Sequence, residues 1–144
     1  EKALALVPQV ESTLANLSPN RSSIYARVNV AESLSRLSMN NPQKIGNILA
    51  IAIQQARQLG DTRAEAYSLT GLGKLYEDNQ QWQDSKNLTE QALQLAQNID
   101  ASDITARAAW QLGRILKQQG NLTGAIAAYQ TAYQTLQSLR SDLV

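Results

Sequence analysis

The 144-residue chain has no cysteine and no histidine. A thiol nucleophile, a disulfide, a zinc site built on nitrogen and sulfur ligands, and any histidine-relayed triad are therefore excluded within it. Zero cysteine says little about compartment, because nothing is there to oxidise. The cytoplasm is favoured, and the periplasm fits if a signal lay upstream. Phenylalanine is absent too, proline occurs 3 times and glycine 7 times, so the residues that break helices are scarce. Neither sign of charge is in excess: 13 Lys and Arg face 12 Asp and Glu, for a net charge of +1. That gives no bulk attraction to nucleic acid or to a membrane surface. No apolar run approaches the ~20 residues of a membrane span, and no signal peptide is visible. The first residue is Glu1, not methionine, which suggests an excerpt of a longer protein or a processed form.

What remains is rich in alanine and glutamine, with 43% hydrophobic residues. This composition points to an all-helical fold with a core of its own. Two stretches, "TGLGKLYEDNQQW" and "WQLGRILKQQGNL", place Gly73 and Gly113 inside helical patterns 40 residues apart. The same shift pairs Ala66 with Ala106, Leu72 with Leu112, Lys74 with Arg114 and Ala92 with Ala132. The preceding "YARVNVAESLSRL" aligns at 38, with Ser35 in place of the glycine, so the first unit has a shorter turn. Three helix-pair units follow, at residues 22–60, 62–99 and 102–140, led by a helical segment over 2–17 in which Pro8 starts or kinks the helix.

Punctuation supports these boundaries. Asn41-Pro42 supplies an N-cap and a proline in the first helical turn. Gly60 ends a helix in the left-handed conformation, and Thr62-x-x-Glu65 offers a capping box. Gly120-Asn121 repeats the stop and start, and residues 18–20 read as a turn. Leu139, Leu143 and Val144 look unpaired, as they would if a further neighbour followed. A glycine inside a helix costs about 1 kcal/mol against alanine. Its recurrence in phase implies close helix crossing, with Ser85 and Ala125 as the small residues facing Gly73 and Gly113. Trp82 and Tyr76 are expected in the core.

Leu69-x2-Leu72-Gly73-x2-Tyr76 resembles the first-helix signature of the tetratricopeptide (TPR) repeat, W-x2-L-G-x2-Y. Ala109-x2-Leu112-Gly113-x2-Leu116 and Ala125-x3-Tyr129 carry the likeness into the third unit. The leading tryptophan and closing proline are missing, and the period of 40 is similar to that of a longer-helix subclass. The resemblance implies an all-α fold: antiparallel helix-turn-helix repeats stacked as a right-handed superhelix, an α-solenoid of about seven helices. The stretch "QQARQLGDTRAEAYSLTGLGKLYEDNQQW" also resembles the TPR regions that precede CHAT domains, a caspase-like protease family, in bacterial and especially cyanobacterial proteins. That likeness implies a recognition or regulatory arm.

In such arrays the first helix of each repeat lines a concave groove. The family pattern carried onto this chain gives Asn29, Glu32, Arg36 and Met39; Tyr67, Thr70, Lys74 and Glu77; and Arg107, Trp110, Arg114 and Lys117. Arg36, Lys74 and Arg114 recur at one position. Arg107, Trp110, Arg114 and Lys117 share one helical face. Cations around an indole suit an acidic or carboxylate-ended segment; the plainer alternative is a solvated charged face. Glu77-Asp78 has no second group placed opposite for acid–base work. The sequons at Asn16, Asn87 and Asn121 match a motif common by chance.

The expectation is a non-catalytic scaffold that binds a protein or peptide segment, with no cofactor, metal, nucleic acid or membrane partner. The alternative is a structural docking or homo-oligomerisation module, one target being another domain of its own chain.

Overall fold

The computed structural model of the chain describes residues 2–37 and 41–143. Among these residues there are seven α-helices and no strand: α1 (Lys2–Ala15), α2 (Arg21–Arg36), α3 (Pro42–Leu59), α4 (Thr62–Asp78), α5 (Trp82–Asn98), α6 (Ser102–Gln118) and α7 (Leu122–Asp142). Met39 and Val144 lie outside the described residues. Pro8 sits inside α1 and does not start it.

The helices begin and end for local reasons. The Asn41 side chain accepts from Lys44 N at 3.1 Å, with Pro42 beside it in the first turn. Asn121 accepts from Gly124 N at 2.9 Å. Asn20 and Ser23 form a reciprocal capping box on α2. The box expected at Thr62 and Glu65 is absent. Asp61 is the N-cap, accepting from Ala64 N at 3.0 Å, and Glu65 instead receives Arg57 Nε at 2.7 Å.

Helices α3 to α6 are each followed by one left-handed residue: Gly60, Gln80, Asp100 and Gly120, with φ of 65°, 60°, 53° and 80°. The next amide closes a bond back over that residue, as from Gln81 N to Tyr76 O at 2.9 Å and from Ala101 N to Ala96 O at 2.9 Å. Two of the four stops therefore carry side chains in a region costing roughly 1–2 kcal/mol for an L-residue. Gln80→Gly should raise stability by up to about 1 kcal/mol, since part of the gain is offset by the unfolded-state freedom of glycine. Urea denaturation of the variant measures it.

Helices α2 and α3, α4 and α5, and α6 and α7 pack as pairs, and each pair stacks on the next through α3 with α4 and α5 with α6. The backbones of the first helices also come close across the pairs, α2 to α4 and α4 to α6, whereas among the described residues those of α3, α5 and α7 stay apart. First helices crowded together and second helices splayed apart curve the stack, leaving α2, α4 and α6 on its inner face.

The core runs through the stack as small and aliphatic side chains. Ile24, Val28, Leu49, Ala52 and Ala64 bury together, then Leu69, Ala92 and Ala108, then Leu112, Leu116 and Ala125. The in-phase glycines do two different jobs. At Gly73 a Cβ would lie 2.6 Å from Thr89 Oγ1 and 2.8 Å from Gln111 Nε2, and Ser85 Oγ donates to the Gly73 carbonyl at 2.7 Å. Gly113 does not face Ala125 as expected: its Cβ would meet the Tyr129 ring at 2.5 Å, so the glycine seats an aromatic ring. Trp82 opens α5 half-buried and is not a core residue; Tyr76 is half-buried as well.

Two ion pairs recur one repeat apart. Arg21 donates to Asp61 at 2.7 and 2.9 Å, and Arg63 to Asp103 at 3.1 and 2.5 Å. The arginine hydrogen bond holds each carboxyl below its ordinary value of about 3.8. A carboxyl depressed in the folded state stabilises the fold above its unfolded value, and that stabilisation disappears as pH falls through the folded value. The melting temperature should thus be flat from neutral pH to about 4 and fall below it. The Asp61→Asn, Asp103→Asn double variant should start lower at neutral pH and fall less steeply, as followed by circular dichroism.

Candidate binding groove

Five aromatic, polar and charged side chains tie the inner face together. The Tyr67 hydroxyl donates to Asn29 Oδ1 at 2.6 Å. Its ring stacks on Tyr25 with centroids 4.2 Å apart. The Arg107 guanidinium lies 5.7 Å from the centre of the same ring, and Arg107 pairs with Glu32. This chain of contacts crosses from α2 over α4 to α6, joining the first and third pairs.

The expected basic row is present, but most of it is paired. Arg36 lies 3.5 Å from Glu32, which also holds Arg107. Lys74 pairs with Asp78 one turn on. Arg114 makes two bonds to Glu77, at 2.7 and 2.9 Å, and these hydrogen bonds raise its pKa above the ordinary arginine value. Lys117 is exposed and has no ion pair among the described residues. The inner face is therefore a lattice of alternating charge.

Thr70 is a correction. It is 1% exposed, its hydroxyl donates to Ala66 O at 2.8 Å, and its carbonyl accepts from Gln111 Nε2 at 3.2 Å. A residue so enclosed is part of the α4–α6 contact and offers nothing to a ligand. Trp110 behaves differently: it is 50% exposed and leans on Tyr129 with ring centroids 5.0 Å apart at 57°.

Two hollows flank this lattice. One, of about 340 Å³, has an apolar floor of Ala31, Ile45, Leu49, Gly71 and Leu75 under a rim of Glu32, Arg36, Lys74, Asp78 and Arg107. The other, of about 450 Å³, lies against Trp110, with Lys74, Arg107, Arg114 and Asp103 around it and Leu136 at its edge. Lys74 and Arg107 border both.

The sequence reading missed Gly71 and the α3 residues Ile45 and Leu49. A Cβ on Gly71 would press on Leu49 and Val28 at 3.0 Å each, so glycine lets the floor of the first hollow close up. The signal lay in "GLGK", where a second glycine stands two residues before the in-phase one. The four-residue spacings Glu32 to Arg36 and Lys74 to Asp78 likewise pointed to internal pairing. Among the described residues no cluster of acidic side chains could hold a metal, and no helix is long and apolar enough to cross a membrane.

Comparison with known proteins agrees with this geometry. The tetratricopeptide repeat model matches residues 62–138, more than half of the chain. The crystal structure of the TPR domain of Arabidopsis FLU superposes with a TM-score of 0.71 at 17% identity, covering 83% of this chain and 99% of that one. No curated protein matches in sequence. The second and third helix pairs are the matched segment, and the first pair continues the same stacking; the chain belongs to the tetratricopeptide repeat family.

Proposed function

We propose that the inner face of α2, α4 and α6 holds a peptide segment of a partner protein, as a non-catalytic scaffold. The observation that carries this reading is the pair of hollows bordered jointly by Lys74 and Arg107, one floored by aliphatic side chains and one walled by Trp110. An extended segment places apolar side chains in the two hollows. Its own carboxylates take the place of Glu32 and Asp78 beside Arg36, Lys74 and Arg107. Such exchange keeps each cation paired in the free and bound states, so it selects an acidic segment without leaving a charge bare. Asn29, Arg114 and Lys117 extend the polar rim at either end. Thr70 is left out of the groove because it is buried.

The resemblance to TPR regions that precede CHAT domains gives a finer reading: a recognition or regulatory arm of a caspase-like protease, whose own domain would then be a ligand source. That reading rests on the likeness of residues 54–82 alone.

A displayed random-peptide library panned on the purified chain tests the groove. Recovered peptides should share acidic residues next to apolar anchors. Trp110→Ala should weaken the best of them about tenfold, since stacking and burial of an exposed indole are worth roughly 1–2 kcal/mol. Recovered peptides without charge preference and indifferent to Trp110→Ala would remove the groove reading.

A further inference from the structure

The first hollow lies at the spot that one buried side chain fills in the next repeat. Moved on by the repeat shifts of 38 and 40, its residues Ala31, Glu32, Ser35, Leu49 and Gly71 become Leu69, Thr70, Gly73, Thr89 and Gln111. That second set is closed. Leu69, Thr70, Thr89 and Gln111 are 1%, 1%, 0% and 2% exposed, and Gly73 is buried with them. The Gln111 side chain does the closing: its amide reaches from α6 to Thr70 O at 3.2 Å and to Thr89 Oγ1 at 2.8 Å. The same amide nitrogen lies 2.8 Å from where a Cβ on Gly73 would stand.

One repeat earlier that plug is missing. Gly71 stands at the Gln111 position with no side chain, and Ala31 stands at the Leu69 position. The hollow of about 340 Å³ opens here, in the middle of the stack, between α2 and α4 and over Ile45 and Leu49 of α3. Its lining has changed character as well. Ser85 and Thr89 of α5, the polar pair beside Gly73, are replaced in α3 by Ile45 and Leu49. Leu49 has no hydroxyl where Thr89 pairs the amide, so a glutamine placed here would lose a hydrogen bond that Gln111 keeps. An apolar side chain of the same length loses none and gains by leaving water.

We propose, on the groove reading above, that the first hollow is a socket for one leucine or methionine of the bound segment, which enters where Gln111 sits one repeat on. Leucine and methionine are the apolar side chains closest to glutamine in size. Ala31 and Gly71 leave the room, and Ile45 and Leu49 make it apolar. The charged rim selects the neighbours of this anchor. Arg36, Lys74 and Arg107 stand around the mouth, so the residues flanking the anchor are the acidic ones.

The tightest peptide from the library selection tests this, remade with each of its apolar residues changed in turn to Ala, Gln, Leu and Met. Each is titrated calorimetrically into the whole chain and into its Ser35→Leu and Trp110→Ala variants. One position should prefer Leu or Met, lose about tenfold or more on change to Ala, and do no better with Gln. Ser35→Leu puts carbon where the Gln111 amide lies one repeat on, so it should weaken the peptide by a similar factor and make that one position indifferent to Ala. Ser35 is half-buried at the mouth, with its Oγ 3.5 Å from Asp78 Oδ2. If Ser35→Leu loses helicity by circular dichroism, Ala31→Leu, which copies Leu69, fills the floor instead, and the peptide series needs no variant at all. A peptide weakened by Trp110→Ala in which Gln serves as well as Leu at every apolar position overturns the socket and leaves the groove. So does one in which no apolar position couples to Ser35→Leu or Ala31→Leu. A peptide indifferent to Trp110→Ala brings down the groove, and the socket with it.

Discussion

Gly73→Val should lower the unfolding free energy by about 3 kcal/mol or more, the largest loss expected from any single inner-face substitution. The first added carbon already lies 2.6 Å from Thr89 Oγ1 and 2.8 Å from Gln111 Nε2. Those atoms belong to a buried network in which Gln111 Nε2 reaches Thr89 Oγ1 at 2.8 Å and Thr70 O at 3.2 Å, joining α4, α5 and α6. Gln111 is 2% exposed and Thr89 is 0% exposed, so a displaced partner finds no water. Overpacking contributes about 1–3 kcal/mol, and each buried polar group left unpaired adds about 1–3. Gly73→Ala should lose less, since alanine regains about 1 kcal/mol of helix propensity. Gly113→Ala should lose less again, because it meets the half-buried Tyr129 ring and no polar network. Urea denaturation ranks the three, and a Gly73→Val protein as stable as wild type would mean that α5 and α6 do not close on this glycine.

Lys74→Glu combined with Arg107→Glu should abolish groove binding of an acidic peptide, with a loss of about 100-fold or more. Two charge-assisted bonds at about 1.5–3 kcal/mol each are removed, and both new carboxylates face the ligand. They also face Asp78 and Glu32, the present partners of the two cations. Repulsion therefore opens the Glu32–Arg107 link across Tyr67. Reversal at Lys74, paired where both side chains are about 40% exposed, should change stability by at most about 1 kcal/mol, whereas reversal at Arg107 should cost more, because its partner Glu32 is 15% exposed. Binding to the wild type should weaken with added salt as exposed charges are screened. Calorimetric titration with a selected peptide reads both effects.

The repeat phase was legible because the burial pattern is local. Leu69, Leu72 and Leu75 follow helical spacing, and Gly73 and Gly113 recur in register. Stops at Gly60 and Gly120 were legible as glycine, but those at Gln80 and Asp100 were hidden, since the geometry is imposed by packing and not by residue type. The partner of Gly113 was misread because Tyr129 reaches back one turn to lie over it, past the small Ala125 that the alignment suggested. Thr70 was misassigned because position along a helix does not show how near the next first helix comes; Gln111 of α6 reaches its carbonyl and seals it. Pairing of the cations was legible for Arg36 and Lys74 from i, i+4 spacing. It was not legible for Arg107 and Arg114, whose carboxylates lie 75 and 37 residues away in the chain.

The central claim is that α2, α4 and α6 form the binding face. Titrating isotopically labelled chain with a selected peptide and mapping the amide and side-chain shifts by nuclear magnetic resonance tests it directly. Shifts should gather at Asn29, Arg36, Tyr67, Lys74, Arg107 and the Trp110 indole, with Gln54, Gln94 and Gln134 on the second helices unmoved. Shifts gathered at Gln54, Gln94 and Gln134, with the Trp110 indole silent, would contradict it.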